Sequence, residues 1–325
     1  MYEVIEMIYV FQGGRCGNQM FSYAFSMKLK KSFKNEEICY IYNFDSDLKG
    51  NYWEDSLEQF VLDGNYKSNN EKNVFRNNSS FIQKMIMIKW KILKRRLKNK
   101  SYNYRRKKYE IFFERYSKYG IYYLPYGYSK YNVTKQKNKF VFGTFEDVRW
   151  FNDLKEELKK YFEPKTYNRN NDLLFNKIQS TNSVCISFRK WNIDVTRTSE
   201  IDNREICTDK YYKQAIEYIF KVVDKPVFFI FSDDVSWATN FIKENFPNID
   251  FYSESGIDTV SEKIRLMKEC KHFILTNSTF CWWAQYLCKN KEKIVVSPKI
   301  WHKKNKSDQL NMPSFKLISI GDDDE

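Results

Sequence analysis

Apolar and polar positions alternate with two different periods along the chain, and the switches between them mark the elements. Val4–Gln12 is a short, mostly apolar run that predicts an opening strand, followed by a glycine-rich turn, Gly13-Gly-Arg-Cys-Gly. Met20, Ala24, Met27 and Lys31 then recur at helical spacing, predicting a helix from about Asn18 to Phe33, and Glu37–Asn43 reads as a second strand. Strand, glycine turn, helix and strand in this order open a doubly wound α/β domain. From Asp47 to Tyr131 the pattern is irregular, except for an apolar stripe at Ile82, Ile86, Trp90, Leu93 and Leu97. Phe140–Thr144 is strand-like and Asp147–Phe162 a polar helix, while Glu163-Pro-Lys-Thr with Asn168–Asp172 reads as a linker.

The second half alternates more cleanly. Strands are expected at Val184–Phe188, Val227–Ser232, Asp250–Tyr252, His272–Thr276 and Lys293–Ser297. Helices are expected near Asp209–Val223, Val235–Phe246, Thr259–Cys270 and Thr279–Cys288. The strands are almost continuously apolar, as a parallel sheet covered on both faces requires. The expected fold is therefore α/β, with two Rossmann-like lobes on parallel sheets and a basic helical insertion at 81–118 in the first. Ligands of such folds bind at the carboxyl ends of the strands, and two lobes would form a cleft there.

Composition narrows the class. Of 325 residues, 42% are apolar and 18% aromatic, with only 10 Gly and 6 Pro, which excludes collagen-like and disordered chains. Seven scattered cysteines without a C-x-x-C pair, and only two histidines, give no zinc-ligand spacing and suit a reducing cytoplasm. Met1–Val10 carries Glu3 and Glu6 and no basic n-region, so no secretory leader is expected. No run of about 18 apolar residues predicts a membrane span. The Asn-x-Ser/Thr sequons at Asn77, Asn78, Asn132 and Asn277 are then chance matches.

The net charge of +14 is local: Lys84–Lys108 holds twelve Lys/Arg and no acid, leaving +2 for the rest. Three readings of this segment compete. Its apolar stripe and cations suit an anionic membrane surface, the leading reading. Alternatively, the stripe packs on the first lobe and the charge is solvated. Nucleic-acid binding ranks last, because no base-reading motif accompanies the patch.

Candidate chemistry sits where strands end. Asn277-Ser-Thr-Phe-Cys-Trp-Trp follows a buried strand and starts a helix, so Ser278 or Thr279 is the N-cap beside amides that lack intrahelical partners. Such a terminus can seat a diphosphate, although plain capping by the hydroxyls explains it as well. Trp282-Trp283 reads as core more readily than as a stacking platform. Arg189 ends another buried strand, where a guanidinium can clamp a phosphate with two hydrogen bonds or form an ordinary salt bridge. Asp233 and Asp234 follow a strand and serve either a ribose or guanine, or the next helix cap. The turn at Gly14 allows close backbone approach, but it is neither a G-x-G-x-x-G nor a P-loop.

Together these pieces converge on a nucleotide diphosphate, and here a family becomes recognisable. Gly14-Arg-Cys-Gly-Asn-Gln-Met-Phe-Ser-Tyr-Ala resembles the opening motif of the α-1,2-fucosyltransferases, glycosyltransferase family 11. Lys263-Ile-Arg-Leu-Met-Lys-Glu-Cys-Lys-His-Phe-Ile-Leu-Thr-Asn-Ser-Thr-Phe-Cys-Trp-Trp-Ala is similar to that family's long block. Gly143-Thr-Phe-Glu-Asp, Phe228-Phe-Ile-Phe-Ser-Asp-Asp and Lys293-Ile-Val-Val-Ser-Pro-Lys-Ile-Trp also find counterparts, in colinear order over roughly residues 8–302.

The resemblance implies a GT-B-like fold, GDP-β-L-fucose as donor, inversion at the anomeric carbon and no metal. It implies an acceptor-side lobe at 1–163 and a GDP-binding lobe at 164–325. Gly14, Asn18, Arg189, Lys190, Asp233, Asn277, Ser278, Thr279 and Phe280 are the implied donor-binding set, with Arg189 on the β-phosphate and Asn18 near the sugar. The family's H-x-R-R-G-D-Y motif falls on Ser187-Phe-Arg-Lys-Trp-Asn-Ile, which keeps Arg189 but replaces the His by Ser187 and the Asp by Asn192. No general base is assigned by that motif, and Asp194 is the candidate substitute.

The expected activity is α-1,2 transfer of fucose to a galactoside of a surface glycan or lipid-linked oligosaccharide, by a cytoplasmic protein peripheral to the inner membrane face. A different GDP-sugar or linkage, or a non-catalytic nucleotide- or glycan-binding relative, is the alternative. Nucleic acid is not an expected partner.

Overall fold

Met7–Phe11 (β1) alternates half-buried and buried residues and lies in the middle of a parallel sheet. It pairs with Glu37–Ile41 (β2) on one side and with Asn138–Gly143 on the other, level along its whole length. The helix between β1 and β2, Cys16–Ser32 (α1), is buried at twelve positions, including Met20, Phe21, Tyr23, Ala24 and Phe25, so it is covered nearly all round. A computed structural model describes residues 6–33, 36–42, 54–69, 71, 73–190, 205–303 and 310–320, and they fall into two units that divide between Phe162 and Glu163.

The first unit continues through Ser68–Asn69 (β3), Val74–Asn78 (α2), Phe81–Leu97 (α3), Tyr102–Ser117 (α4), Ile121–Leu124 (β4), Asn138–Gly143 (β5) and Lys155–Tyr161 (α5). Its sheet has the order β3-β2-β1-β5-β4, with every pairing parallel. The Asp147–Phe162 segment is not one helix. Asp147 Oδ1 accepts from the Arg149 amide at 3.0 Å and closes a first 3-10 turn at Val148–Trp150; a second follows at Asn152–Leu154, before α5 begins.

The basic insertion is the helix pair α3 and α4. Ser80 and Gln83 form a capping box at the start of α3: the Gln83 amide donates to Ser80 Oγ at 3.3 Å, and the Ser80 amide to Gln83 Oε1 at 2.9 Å. Gln83 Nε2 then donates to the carbonyls of Tyr119 (2.9 Å) and Asn138 (2.8 Å), fixing α3 to the strands. Trp90 packs against Tyr109, Phe112 and Tyr123 with ring centroids 4.8, 5.0 and 4.0 Å away. The stripe read from the sequence therefore divides. Ile86, Trp90 and Leu97 are core, Leu93 is half-buried, and Ile82 is exposed. Packing, not a membrane, covers this face.

The second unit contains Asp172–Ser180 (α6), Asn182–Phe188 (β6), Asp209–Val222 (α7), Pro226–Ser232 (β7), Val235–Asn245 (α8), Phe251–Ser253 (β8), Val260–Glu269 (α9), His272–Ile274 (β9), Thr279–Leu287 (α10), Val295–Pro298 (β10) and Lys316–Ile318 (β11). The sheet order is β11-β10-β9-β6-β7-β8, again all parallel. Val184, Ile186, Phe228 and Ile230 of the two central strands are fully buried beneath Tyr211, Tyr212, Ala215, Ile216 and Ile219 of α7. Burial on both faces is why these strands lack polar alternation. Truncating one such side chain to alanine costs roughly 3 kcal/mol.

Candidate functional site

The strand order of the second sheet reverses at β6. From there the chain adds β7 and β8 on one side, then returns to add β9, β10 and β11 on the other. In parallel α/β sheets the crevice at such a reversal, beyond the carboxyl ends of the two strands, is where ligands bind. The strands at this reversal are β6 and β9, in register through Cys185↔Phe273 and Ile186↔Ile274. Arg189 follows β6 directly and Asn277-Ser-Thr follows β9 by two residues, so both groups singled out in the sequence lie on one edge of neighbouring strands. The Cys281 thiol donates to the Ser278 carbonyl at 3.2 Å, within the first turn of α10.

Arg189 is held by Asp233, with Nη1 3.2 Å from Oδ2, and both side chains are largely buried. The other carboxylate oxygen of Asp233 accepts from the Lys190 amide at 2.8 Å. Asp233 thus braces the whole Arg189–Lys190 turn. The Lys190 ammonium sits 4.1 Å over the Trp237 ring. Asp234 does the ordinary job open to it in the sequence: its Oδ1 accepts from the Trp237 amide at 2.9 Å and caps α8.

Ser278 is the N-cap of α10, and its Oγ accepts from the Phe280 amide at 3.4 Å, a long bond. Thr279 and Phe280 are half-buried, and every residue from Cys281 to Leu287 is buried. Trp282 and Trp283 are fully buried, and Trp282 Nε1 donates to the Leu310 carbonyl at 2.8 Å, so the pair roots the helix in the core. Its first amides consequently point out of the carboxyl edge, with the positive end of the helix dipole. Asn277 Nδ2 donates to the Trp301 carbonyl at 3.1 Å, which holds the approach to the helix.

In the first unit Gly14 adopts φ +77°, and a Cβ there would meet the Asn18 side chain at 2.9–3.1 Å. Asn18 therefore lies against the backbone of the β1–α1 turn. The sequence reading missed Gln19, whose Nε2 donates to the Gly14 (3.0 Å) and Glu54 (2.8 Å) carbonyls while its Oε1 accepts from the Ser56 amide at 3.1 Å. It also missed Glu254. This buried carboxylate accepts from the Ser232 amide at 3.1 Å and pairs with Lys263 at 2.8 Å, buttressing β7 just before Asp233. Burial raises its pKa and Lys263 opposes the rise. Only a polar residue after a short edge strand signals it.

Asp194, with Trp191 and Asn192, lies outside the described residues. His272 has a structural role: its Nδ1 accepts from the Ile294 amide at 3.1 Å, and burial lowers its pKa. All seven cysteines are free. Among the described residues, no group of three or more His, Cys, Asp or Glu is placed to hold a metal ion, and no helix is long and apolar enough to cross a membrane.

The family model for glycosyl transferase family 11 matches residues 7–313. An α-1,2-colitosyltransferase of Escherichia coli is 28% identical over 178 residues, 55% of this chain and 61% of its own length. The O-antigen biosynthesis glycosyltransferase WbnK of the same species is 30% identical over 180 residues, 54% of this chain and 59% of its own. The chain thus spans about three-fifths of these relatives. Among solved structures, the α-1,6-fucosyltransferase NodZ co-crystallised with GDP superposes with a TM-score of 0.50 at 10% identity, covering 86% of this chain and 92% of NodZ. That is a likeness of fold, and the two parallel-sheet units are GT-B-like, as expected. With the family model matched over nearly its whole length, the chain belongs to glycosyl transferase family 11.

Proposed function

We propose that the protein is an inverting glycosyltransferase that moves L-fucose from GDP-β-L-fucose to a galactoside hydroxyl in α-1,2 linkage. One observation carries this reading: Arg189 and the Ser278 helix start share the carboxyl edge at the strand reversal of the second sheet. A diphosphate at that edge meets a forked cation on one side and the amide-rich start of a helix on the other.

In the reaction the bond between the anomeric carbon and the β-phosphate oxygen breaks, and negative charge grows on the departing GDP. Arg189 and the amides at Ser278, Thr279 and Phe280 stabilise that charge without reorganising. Lys190 adds a second cation, and Asp233 fixes the direction of the guanidinium. The acceptor oxygen attacks the opposite face of the sugar and gives up its proton, giving inversion. The transition state has oxocarbenium character, as in glycoside hydrolysis, so leaving-group stabilisation supplies much of the acceleration. With Ser187 and Asn192 in place of the family's His and Asp, Asp194 is our candidate base. Gly14 and Asn18 belong to the acceptor-side lobe of this reading. No metal takes part.

The acceptor class is a surface polysaccharide or lipid-linked oligosaccharide, met at the inner membrane face. A colitosyl donor is the second reading, favoured by the similarity to the E. coli α-1,2-colitosyltransferase. Titration with GDP-fucose, followed by release of GDP on adding galactosides, tests the proposal. A panel of GDP-sugars separates the two donors. Absence of both GDP-fucose binding and GDP release sinks the fucosyl reading.

A further inference from the structure

We infer that α3 carries a second apolar stripe, on the face away from the core, that seats the protein on an anionic lipid bilayer. The inference deepens the lipid-linked acceptor reading and rests on it for its purpose, but on separate residues for its evidence. Phe81, Met85, Ile88 and Ile92 are 77, 41, 50 and 48% exposed. Their spacing of four, three and four residues places them within roughly a 60° arc of the helix, and the buried Gln83, Ile86, Trp90 and Leu97 occupy the opposite side.

The helix is thus apolar on two faces, and among the described residues only one of them is packed. At 100° per residue, Lys84, Lys91 and Arg95 line one shoulder of the exposed stripe, while Lys89 and Arg96 line the other. No acidic residue occurs anywhere on α3. Four apolar side chains in a row, flanked on both sides by long cationic ones, match the boundary between acyl chains and anionic headgroups. The stripe enters the boundary and the lysines and arginines reach to the phosphates.

This charge pattern decides among occupants. A second copy docking stripe to stripe would bring two rows of cations together with no acid on either helix to relieve them. A nucleic acid would use the cations but leave the apolar row in water. An anionic bilayer satisfies both.

The test is partitioning of the whole protein onto vesicles, measured by co-sedimentation without donor or acceptor. Phosphatidylcholine vesicles containing phosphatidylglycerol are compared with pure phosphatidylcholine. We expect binding to the anionic vesicles that weakens with salt, and at least about tenfold weaker binding to the neutral ones. The triple variant Phe81→Ser, Ile88→Ser, Ile92→Ser should lose at least about tenfold in partitioning. It should keep its thermal midpoint, because these residues contact solvent, and its affinity for GDP-fucose, which separates this test from that of the transferase reading. Lys84→Gln, Lys91→Gln, Arg95→Gln should remove the preference for anionic lipid. Equal binding to both vesicle types overturns the inference. So does a serine variant that partitions like the parent, or one that changes only the oligomeric state.

Discussion

The Arg189 guanidinium is ion-paired to Asp233, Nη1 to Oδ2 at 3.2 Å, while the other oxygen of the same carboxylate accepts from the Lys190 amide at 2.8 Å. One carboxylate thus sets both the direction of the guanidinium and the path of the backbone that carries it. Arg189→Ala should reduce turnover by about 100-fold or more, the size of losing one preorganised donor to a developing anion. Arg189→Lys keeps the charge but not the fork, and should still lose about tenfold in GDP affinity. Asp233→Asn retains an acceptor for Lys190 and should fall between parent and Arg189→Ala. Calorimetric titration with GDP and steady-state GDP release check the series; undiminished GDP binding by Arg189→Ala removes the guanidinium from the site.

Ser278 separates capping from ligand binding. At 3.4 Å its bond to the Phe280 amide is long, so Ser278→Ala should cost less than about 1 kcal/mol of stability. If the hydroxyl and the first amides hold the diphosphate, GDP affinity should drop several-fold beyond what that loss explains. Urea unfolding and GDP titration on the same variant measure both quantities. A stability loss with unchanged affinity reduces Ser278 to a cap.

The strands of the second unit were legible because both faces are buried, Val184, Ile186, Phe228 and Ile230 on one and Cys185, Phe229 and Phe231 on the other, which leaves an unbroken apolar signal. Arg189 and the Asn277-Ser-Thr run were found for the same reason, as polar residues just beyond apolar strands. Their adjacency was not legible. It depends on β9 pairing with β6 across about 90 residues of chain, and local periodicity carries no trace of that pairing. Edge strands β3 and β11, only two and three residues long, gave no run to read. Polar Asn168–Asp172 looked like linker, yet Asn171 Nδ2 donates to Asp258 (2.9 Å) and Glu262 (3.0 Å) and fixes the start of α6. In α3 the helical period was correct, but the period alone did not say which of two apolar faces is packed.

Two glycines in the first unit should respond differently to alanine. At Gly143 φ is +139°, and a Cβ would lie 1.9 Å from the Leu124 carbonyl of the neighbouring strand, a backbone atom that cannot swing away. At Gly14 the obstruction is only the Asn18 side chain, near 3 Å. Gly14→Ala should therefore cost about 1–2 kcal/mol, the usual penalty of the left-handed region, and disturb Asn18. Gly143→Ala should cost several-fold more and yield little folded protein, because β5 must separate from β4 to admit the methyl group. Soluble yield and thermal midpoints of the pair test the ranking; equal midpoints contradict it.

The last prediction concerns Glu36, a buried carboxylate bonded to the fully buried ammonium of Lys139, which also contacts Glu6 at 3.1 Å. Burial pushes the Glu36 pKa up to about 7 and Lys139 opposes the shift; Glu6, held chiefly by its bond to Lys139, is lowered. One cation facing two carboxylates is balanced when one of them, Glu36, keeps its proton. In the unfolded chain Glu36 titrates near its ordinary value of 4.5, so between there and about 7 the folded state binds a proton that the unfolded state lacks. Stability from this group is then present in acid and declines as pH rises through that window, by about 3 kcal/mol, and is flat above it. His272 works in the opposite sense, since burial lowers its pKa and its contribution is lost as pH falls. The measurement must therefore be a difference between proteins. Glu36→Gln keeps a partner for Lys139 but cannot ionise, so urea melts should show the variant gaining on the parent from about pH 5 to about pH 8. Parallel stability curves across that range would mean that Glu36 is ionised throughout, and that Lys139 accommodates both carboxylates.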